Sequence, residues 1–197
     1  METSQTAVVA AIQLAGPKTT GESDVQYRNR VLANIPLASL MLLPSAPELK
    51  RAAKMVAATP ITGVIVHFDR APNNAKRGEI AFVSTFRDKE VVEPDLKPIT
   101  DFIDNTPNWN AVVNKARKYK AELGELGVEF FTTEPLWERG GKETIRKVSG
   151  KDGGGGLVGH KVTLYKVRED ESGNATSSHS GFRTAVHIED LGVYQPA

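Results

Sequence analysis

The chain has 197 residues, a formal net charge of +1 and no cysteine. The missing cysteines exclude disulfides, thiolate nucleophiles and cysteine-based metal sites, and near-neutrality leaves no global attraction to nucleic acid or anionic membrane. The apolar runs at 7–14 and 31–43 are too short to cross a bilayer, and the acidic start does not fit a signal peptide. We expect a cytoplasmic protein without membrane association.

The N-terminal third predicts an arm, an apolar segment and a helix. Residues 1–30 read as a partly flexible arm with one short helical element, ahead of one domain over residues 31–197. The run 31–43 is almost wholly apolar, so the core or a second copy must cover it. From Ser45, a capping serine and Ala/Lys/Met-rich sequence predict a helix that Thr59-Pro60 ends.

Two strand-like runs follow, at 61–69 and 79–87, both rich in Val, Ile, Phe and Thr. The connection RAPNNAKRG has turn residues, so the pair predicts an antiparallel hairpin. Its loop would be basic, because it contains Arg70, Lys76 and Arg77. A short helix is predicted at 98–103.

The main amphipathic helix is predicted over residues 106–123. Thr106 suits the N-cap and Pro107 the first helical position. Apolar side chains then recur at helical spacing, and Gly124 follows the last of them. This apolar stripe comprises Trp109, Val112, Val113, Ala116, Tyr119 and Leu123.

The C-terminal part predicts four strands, at 128–133, 142–148, 157–168 and 181–193, with a glycine-rich loop at 149–156. In the last strand Phe182, Val186 and Ile188 are predicted to be buried, and Arg183, His187 and Glu189 to face water. The whole order predicts an α+β fold, with an antiparallel β-rich sheet or a small OB-like barrel around the helix.

No catalytic, metal or cofactor motif stands out, so we predict a non-enzymatic protein without a cofactor. The glycines at 153–156 lack the Walker spacing and precede a strand rather than a helix. No two histidines have helical i, i+4 spacing, and no GxSxG motif is present. An unrecognised enzyme would need a ligand-sized pocket lined by His67 and strand-end carboxylates, drawn from Asp69, Asp88, Glu129 and Glu134.

The one signal above background is positive charge beside aromatic residues. Between Glu138 and Arg168, eight Lys or Arg residues face three Asp or Glu residues, which gives a local charge of +5. Cations that follow phosphates and aromatic faces that stack bases are typical of single-stranded nucleic-acid sites. The predicted contacts are Trp137, Arg139, Lys142, Arg146, Lys147, Lys161, Tyr165, Lys166 and Arg168, extended by Arg70, Lys76 and Arg77.

The leading hypothesis is therefore a single-stranded DNA- or RNA-binding protein. The alternative is a protein–protein interaction or assembly protein, for example a scaffold, a viral structural protein or a host-binding factor. It would use the apolar 31–43 segment and the N-terminal arm, and it would form a homo-oligomer.

Overall fold

The computed structural model describes residues 2–34, 46–71, 74–87, 90–106, 113–150, 156–178 and 181–196. In these ranges the chain is a mixed α+β protein. The helices are α1 Glu2–Ala15, α2 Asp24–Leu32, α3 Ala46–Ala57, α4 Lys97–Asp104, α5 Val113–Glu125 and α6 Arg139–Ser149. The strands are β1 Thr59–Ala71, β2 Asn74–Ser84, β3 Phe86–Arg87, β4 Glu90–Val91, β5 Val128–Thr133, β6 His160–Glu169 and β7 Phe182–Val193.

The chain divides into two compact units. The first unit consists of Met1–Ala58 and Val167–Phe182, and the second of Thr59–Lys166 and Arg183–Ala197. The second unit contains most of the sheet and most of the predicted nucleic-acid contacts.

In the first unit, α1, α2 and α3 share a small apolar core. A capping box starts α2, in which Ser23 and Gln26 satisfy each other's backbone N–H groups. Residues 2–30 are thus more helical than the predicted arm, and the helix predicted from Ser45 is confirmed as α3. The apolar segment 31–43 lies outside the described residues beyond Asn34. The core residues are Ala11, Ile12, Val31 and Leu49.

Five strands form the main sheet, in the order β1-β2-β5-β7-β6, and β6 also pairs with β1. The predicted hairpin is confirmed, since β1 and β2 are antiparallel. The β5–β7 pair is parallel, however, with Thr132 beside Thr184. The prediction of an all-antiparallel sheet is therefore wrong at this pair. Between β5 and β7 the chain passes through α6 and then through β6, which belongs to the same sheet, and β7 runs in the direction of β5.

The inner side of this sheet is tightly packed around aromatic rings. Phe82 and Phe131 meet edge to face, with ring centroids 5.9 Å apart. A Cβ atom on Gly63 would lie 2.2 Å from the Val83 carbonyl oxygen, so only glycine lets β1 approach β2 this closely. The buried cluster is completed by Ile65, Ile80, Val148, Leu157, Val162, Leu164, Ala185 and Ile188.

Two helices cover the outer face of β1, β2 and β5. Ile99 from α4 and Ala116 and Leu123 from α5 are buried in one apolar cluster with the strands. The predicted helices at 98–103 and 106–123 are confirmed as α4 and as α5 from Val113 onward, while residues 107–112 lie outside the described part. Their strand partners are Val64, Val66, Ala81, Val83 and Val128.

Residues 142–148 belong to a helix, so the strand predicted there is wrong. Burial in α6 falls on Gly140, Gly141, Thr144 and Val148, which is helical spacing rather than alternation. Gly150 ends α6 in a left-handed conformation with φ of 73°. Thr144 and Ile145 are β-favouring residues, but packing of one helical face decides the structure.

Two smaller predictions also need correction. The strands β1 and β2 extend to Ala71 and from Asn74, so Arg70, Lys76 and Arg77 lie on strands and not in a long basic loop. Phe182, predicted to be buried in the last strand, is 47% exposed. The predicted burial of Val186 and Ile188 is confirmed.

Candidate nucleic-acid interface

An exposed tryptophan and a lysine meet where β2 begins and α6 approaches. Trp137 is 64% exposed, and the Lys76 ammonium lies 4.9 Å from the centroid of its ring. The backbone holds the two segments together, because the Leu136 N–H donates to the Lys76 carbonyl at 2.7 Å. An ammonium over an indole face is attracted by the ring quadrupole. The fold thus pairs one cation with one solvent-facing aromatic ring.

The turn that carries Trp137 is fixed by buried contacts. A Cβ atom on Gly141 would lie 2.2 Å from the carbonyl oxygens of Glu134 and Pro135, so glycine permits the first turn of α6 to press on this segment. The Arg77 guanidinium, which is only 6% exposed, donates to the Thr133 carbonyl at 2.9 Å. Arg77 was predicted to contact phosphate, and the structure places it in a supporting position.

The exposed face of α6 is strongly basic. Arg139, Lys142 and Arg146 recur three and four residues apart, so they share the side of the helix opposite to Thr144 and Val148, while Lys147 lies beside that side and reaches toward β7. Glu143 is the acid on this face, and it pairs with Arg139 at 2.8 Å. We call Lys76, Trp137 and these cations the α6 surface. The α6 cations are Arg139, Lys142, Arg146 and Lys147, all exposed.

The last turn of α6 reaches β7. The Lys147 ammonium donates to the Ile188 carbonyl at 2.6 Å. On either side of Ile188, His187 and Glu189 face outward, and the Tyr165 hydroxyl of β6 donates to Glu189 Oε1 at 3.1 Å. We call Tyr165, His187 and Glu189 the Tyr165 cluster.

The remaining predicted contacts are dispersed. Lys161 lies on β6, paired in register with Val64. Lys166 lies with its ammonium 6.0 Å from the buried Phe131 ring, over which the Arg183 guanidinium also sits at 4.6 Å. Arg168 belongs to the first unit and donates to the Gly181 carbonyl at 3.4 Å. Arg70 is exposed near the end of β1, opposite Gly78.

Two titratable groups on the covered face, Glu79 and His67, have pKa values that burial shifts. Burial raises the pKa of the Glu79 carboxyl, and its ion pair with Lys120 of α5 opposes that rise. Burial lowers the pKa of His67, with the Asp69 carboxylate acting in the opposite direction. Burial within the protein is the main cause of both pKa shifts, and no ligand is needed to explain them.

Features that would point to other functions are weak in the described residues. A pocket of about 240 Å³ lies beside α4, lined by residues that include Glu93 and Asp95 but not His67. Ligand sites usually exceed about 300 Å³. Across the described ranges, no three His, Asp or Glu side chains converge as a metal site would require. In the same ranges, no helix combines the length and apolar content needed to cross a bilayer.

The sequence-based prediction named Trp137, Tyr165 and all four α6 cations, but it did not predict how they are arranged. Periodicity within one segment does not reveal that α6 is a helix whose end touches β7, nor that His187 and Glu189 join Tyr165. The alternation of the last strand did place His187 and Glu189 on its wet side. Comparison of the chain with known protein families, with curated proteins and with solved structures found no match.

Proposed function

We propose that this protein binds single-stranded nucleic acid along the α6 surface. The observation that carries the proposal is the solvent-facing Trp137 ring, held against Lys76 at the head of a helix with four exposed cations. Base stacking on an aromatic ring combined with cations that follow the backbone is how such proteins hold a strand without sequence preference.

The fold is compatible with an OB-like barrel, which we propose as its architecture. The five strands are ordered β1-β2-β5-β7-β6 and return to β1, with α6 between the third and fourth of them in chain order. OB-folds bind oligonucleotides on the face of their second and third strands and on adjoining loops. In this chain those strands are β2 and β5, and α4 and α5 cover their outer face. Binding would therefore use the exposed start of β2 and the turn before α6, where Lys76 and Trp137 lie.

Charge and length support the same surface. Arg139, Lys142 and Arg146 against Glu143 give their side of α6 a net charge of +2, and Lys147 adds one positive charge at the last turn. The helix has 11 residues and is therefore about 16 Å long, enough to follow several phosphates of an extended strand. The interaction would be electrostatic in large part and would weaken with salt.

The decisive test compares Trp137→Ala with Trp137→Phe in binding to a fluorescently labelled oligothymidine, measured by anisotropy at low salt. Loss of stacking should weaken binding about 5- to 150-fold, corresponding to about 1–3 kcal/mol for one stacked base. The phenylalanine variant retains an aromatic face and should lose much less. Phe86→Ala is the matched control, because Phe86 is also exposed, at 54%, but lies on the short strand β3.

Equal affinities of wild type, Trp137→Ala and Phe86→Ala would show that any binding does not use Trp137. Absence of binding by the wild type at low salt would refute the function itself.

A further inference from the structure

We propose that the Tyr165 cluster reads guanine in the bound strand, a specificity site that rests on the proposed function and deepens it. An aromatic pair offers the base a stacking surface, and a carboxylate beside it offers hydrogen-bond acceptors. The site would give a protein with general affinity for single strands a preference for segments that contain guanine.

The cluster is open to solvent, and its two rings are inclined to each other. The rings of Tyr165 and His187 have centroids 5.4 Å apart and planes tilted by 54°. The side chains of His187 and Glu189 are 44% and 50% exposed, so a base can reach them from outside the sheet. Alternation with the buried Ile188 fixes both on the outer face of β7.

The Glu189 carboxylate can accept more hydrogen bonds than it accepts within the protein. Glu189 Oε1 accepts the Tyr165 hydroxyl at 3.1 Å, and this bond orients the carboxylate at the edge of the aromatic pair. Glu189 Oε2 accepts no hydrogen bond from any residue that the structure describes. His187 Nε2 lies 4.0 Å from Glu189 Oε1, too far for a hydrogen bond. An ionised carboxylate accepts only, with about four lone-pair sites, so it selects a ligand edge that donates.

Among the bases, guanine matches this acceptor best. Its Watson–Crick edge carries two adjacent donors, N1–H and the N2 amino group, which can meet two carboxylate oxygens side by side. Cytosine and adenine each offer one amino group beside an unprotonated ring nitrogen. Thymine and uracil offer one N–H between two carbonyl oxygens, which a carboxylate repels. Single-stranded bases are commonly read in this way, by stacking plus hydrogen bonds to the Watson–Crick edge.

The cluster continues from the α6 surface. Lys147, in the last turn of α6, contacts the backbone of β7 at Ile188, between His187 and Glu189. A strand that stacks on Trp137 at the head of α6 and follows its cations would arrive at this point. The α6 surface thus supplies affinity, and the Tyr165 cluster selects one base near the end of the path.

The test uses nine-residue oligonucleotides of thymidine in which the central base is thymine, guanine or hypoxanthine. A single guanine avoids quadruplex formation, and hypoxanthine lacks only the N2 amino group. We expect the guanine oligonucleotide to bind about fivefold more tightly than oligothymidine, near the low end for base-specific contacts because Glu189 is half exposed. Hypoxanthine should bind with intermediate affinity. These comparisons need only the wild-type protein.

Two variants locate the effect. Glu189→Gln should bring the guanine and thymine oligonucleotides to equal affinity, whereas Glu122→Gln, which alters a 40% exposed acid on α5, should keep the guanine preference. Equal binding of the guanine and thymine oligonucleotides by wild type, or an undiminished preference in Glu189→Gln, would overturn this inference and leave the proposed function standing. GMP bound as tightly as the guanine oligonucleotide would overturn the requirement for a strand.

Discussion

The two sides of the second unit differ in what covers them. On the outer face of β1, β2 and β5, apolar strand residues are buried under α4 and α5, and Leu123 is fully inaccessible. The α6 surface instead presents cations and Trp137 to water. On the other side of the helix, Thr144 and Val148 are buried and hold α6 in place. The first side is buried and contributes to stability, whereas the second presents its side chains to water. Substitutions on the two sides should therefore separate stability from binding.

The largest effect on stability is expected from Leu123→Ala. Removing a fully buried leucine side chain from the covered face should lower the free energy of unfolding by about 2–5 kcal/mol. Arg146→Ala on the α6 surface should change it by less than about 0.5 kcal/mol, because the residue is exposed. Urea unfolding followed by circular dichroism measures both. Similar losses of unfolding free energy in Leu123→Ala and Arg146→Ala would contradict the difference between the two sides.

A pair of glycine substitutions gives an intermediate effect and tests how Trp137 is held. Gly141→Ala places a methyl group 2.2 Å from two carbonyl oxygens of residues 134 and 135, and this overpacking should cost about 1–3 kcal/mol. It should also shift the tryptophan fluorescence spectrum, because the clash lies at the turn that carries Trp137. Gly124→Ala is the matched control in α5, with no atom within 4 Å of the new methyl group. It should stabilise the protein by about 0.5–1 kcal/mol. A stabilising Gly141→Ala would show that the contact with α6 does not constrain this turn.

The smallest effect is expected from pH on the covered face. Burial lowers the pKa of His67 below its ordinary value of 6.5, so the unfolded chain binds a proton that the folded protein resists. Stability from this group is present above about pH 6.5 and decreases as the pH falls below it. The His67→Gln variant should lose less stability than wild type between pH 7.5 and pH 5.5. Parallel pH profiles of the two proteins would remove His67 as the cause.

Much of the fold could be predicted because its signals are local. The β1–β2 hairpin, α3, α4 and β5 follow from β-branched runs, a capping serine and apolar periodicity within single segments. The parallel β5–β7 pair could not be predicted, because it depends on the path that the chain takes through α6. The helical state of α6 was obscured by two glycines and by Thr144-Ile145, and packing against the sheet decides it.

For the candidate site, composition identified the residue types and the fold decided their roles. Trp137 and Lys76 are far apart in sequence and meet through a backbone hydrogen bond between Leu136 and Lys76. Arg77 looked equivalent to Lys76 but lies buried, because successive residues of a strand point to opposite faces and Arg77 bonds to β5. Charge in a sequence window therefore overestimated the number of available cations.

The central claim is tested most directly by the salt dependence of oligothymidine affinity. If Lys76, Arg139, Lys142 and Arg146 each neutralise one phosphate, the slope of log K against log salt should be about −2.8 for wild type. The triple variant Arg139→Gln, Lys142→Gln, Arg146→Gln should flatten it to about −0.7, with Lys118→Gln on α5 as the control of unchanged slope. We expect that difference in slope between wild type and the triple variant. An identical slope in wild type and the triple variant, or no binding at low salt, would contradict it.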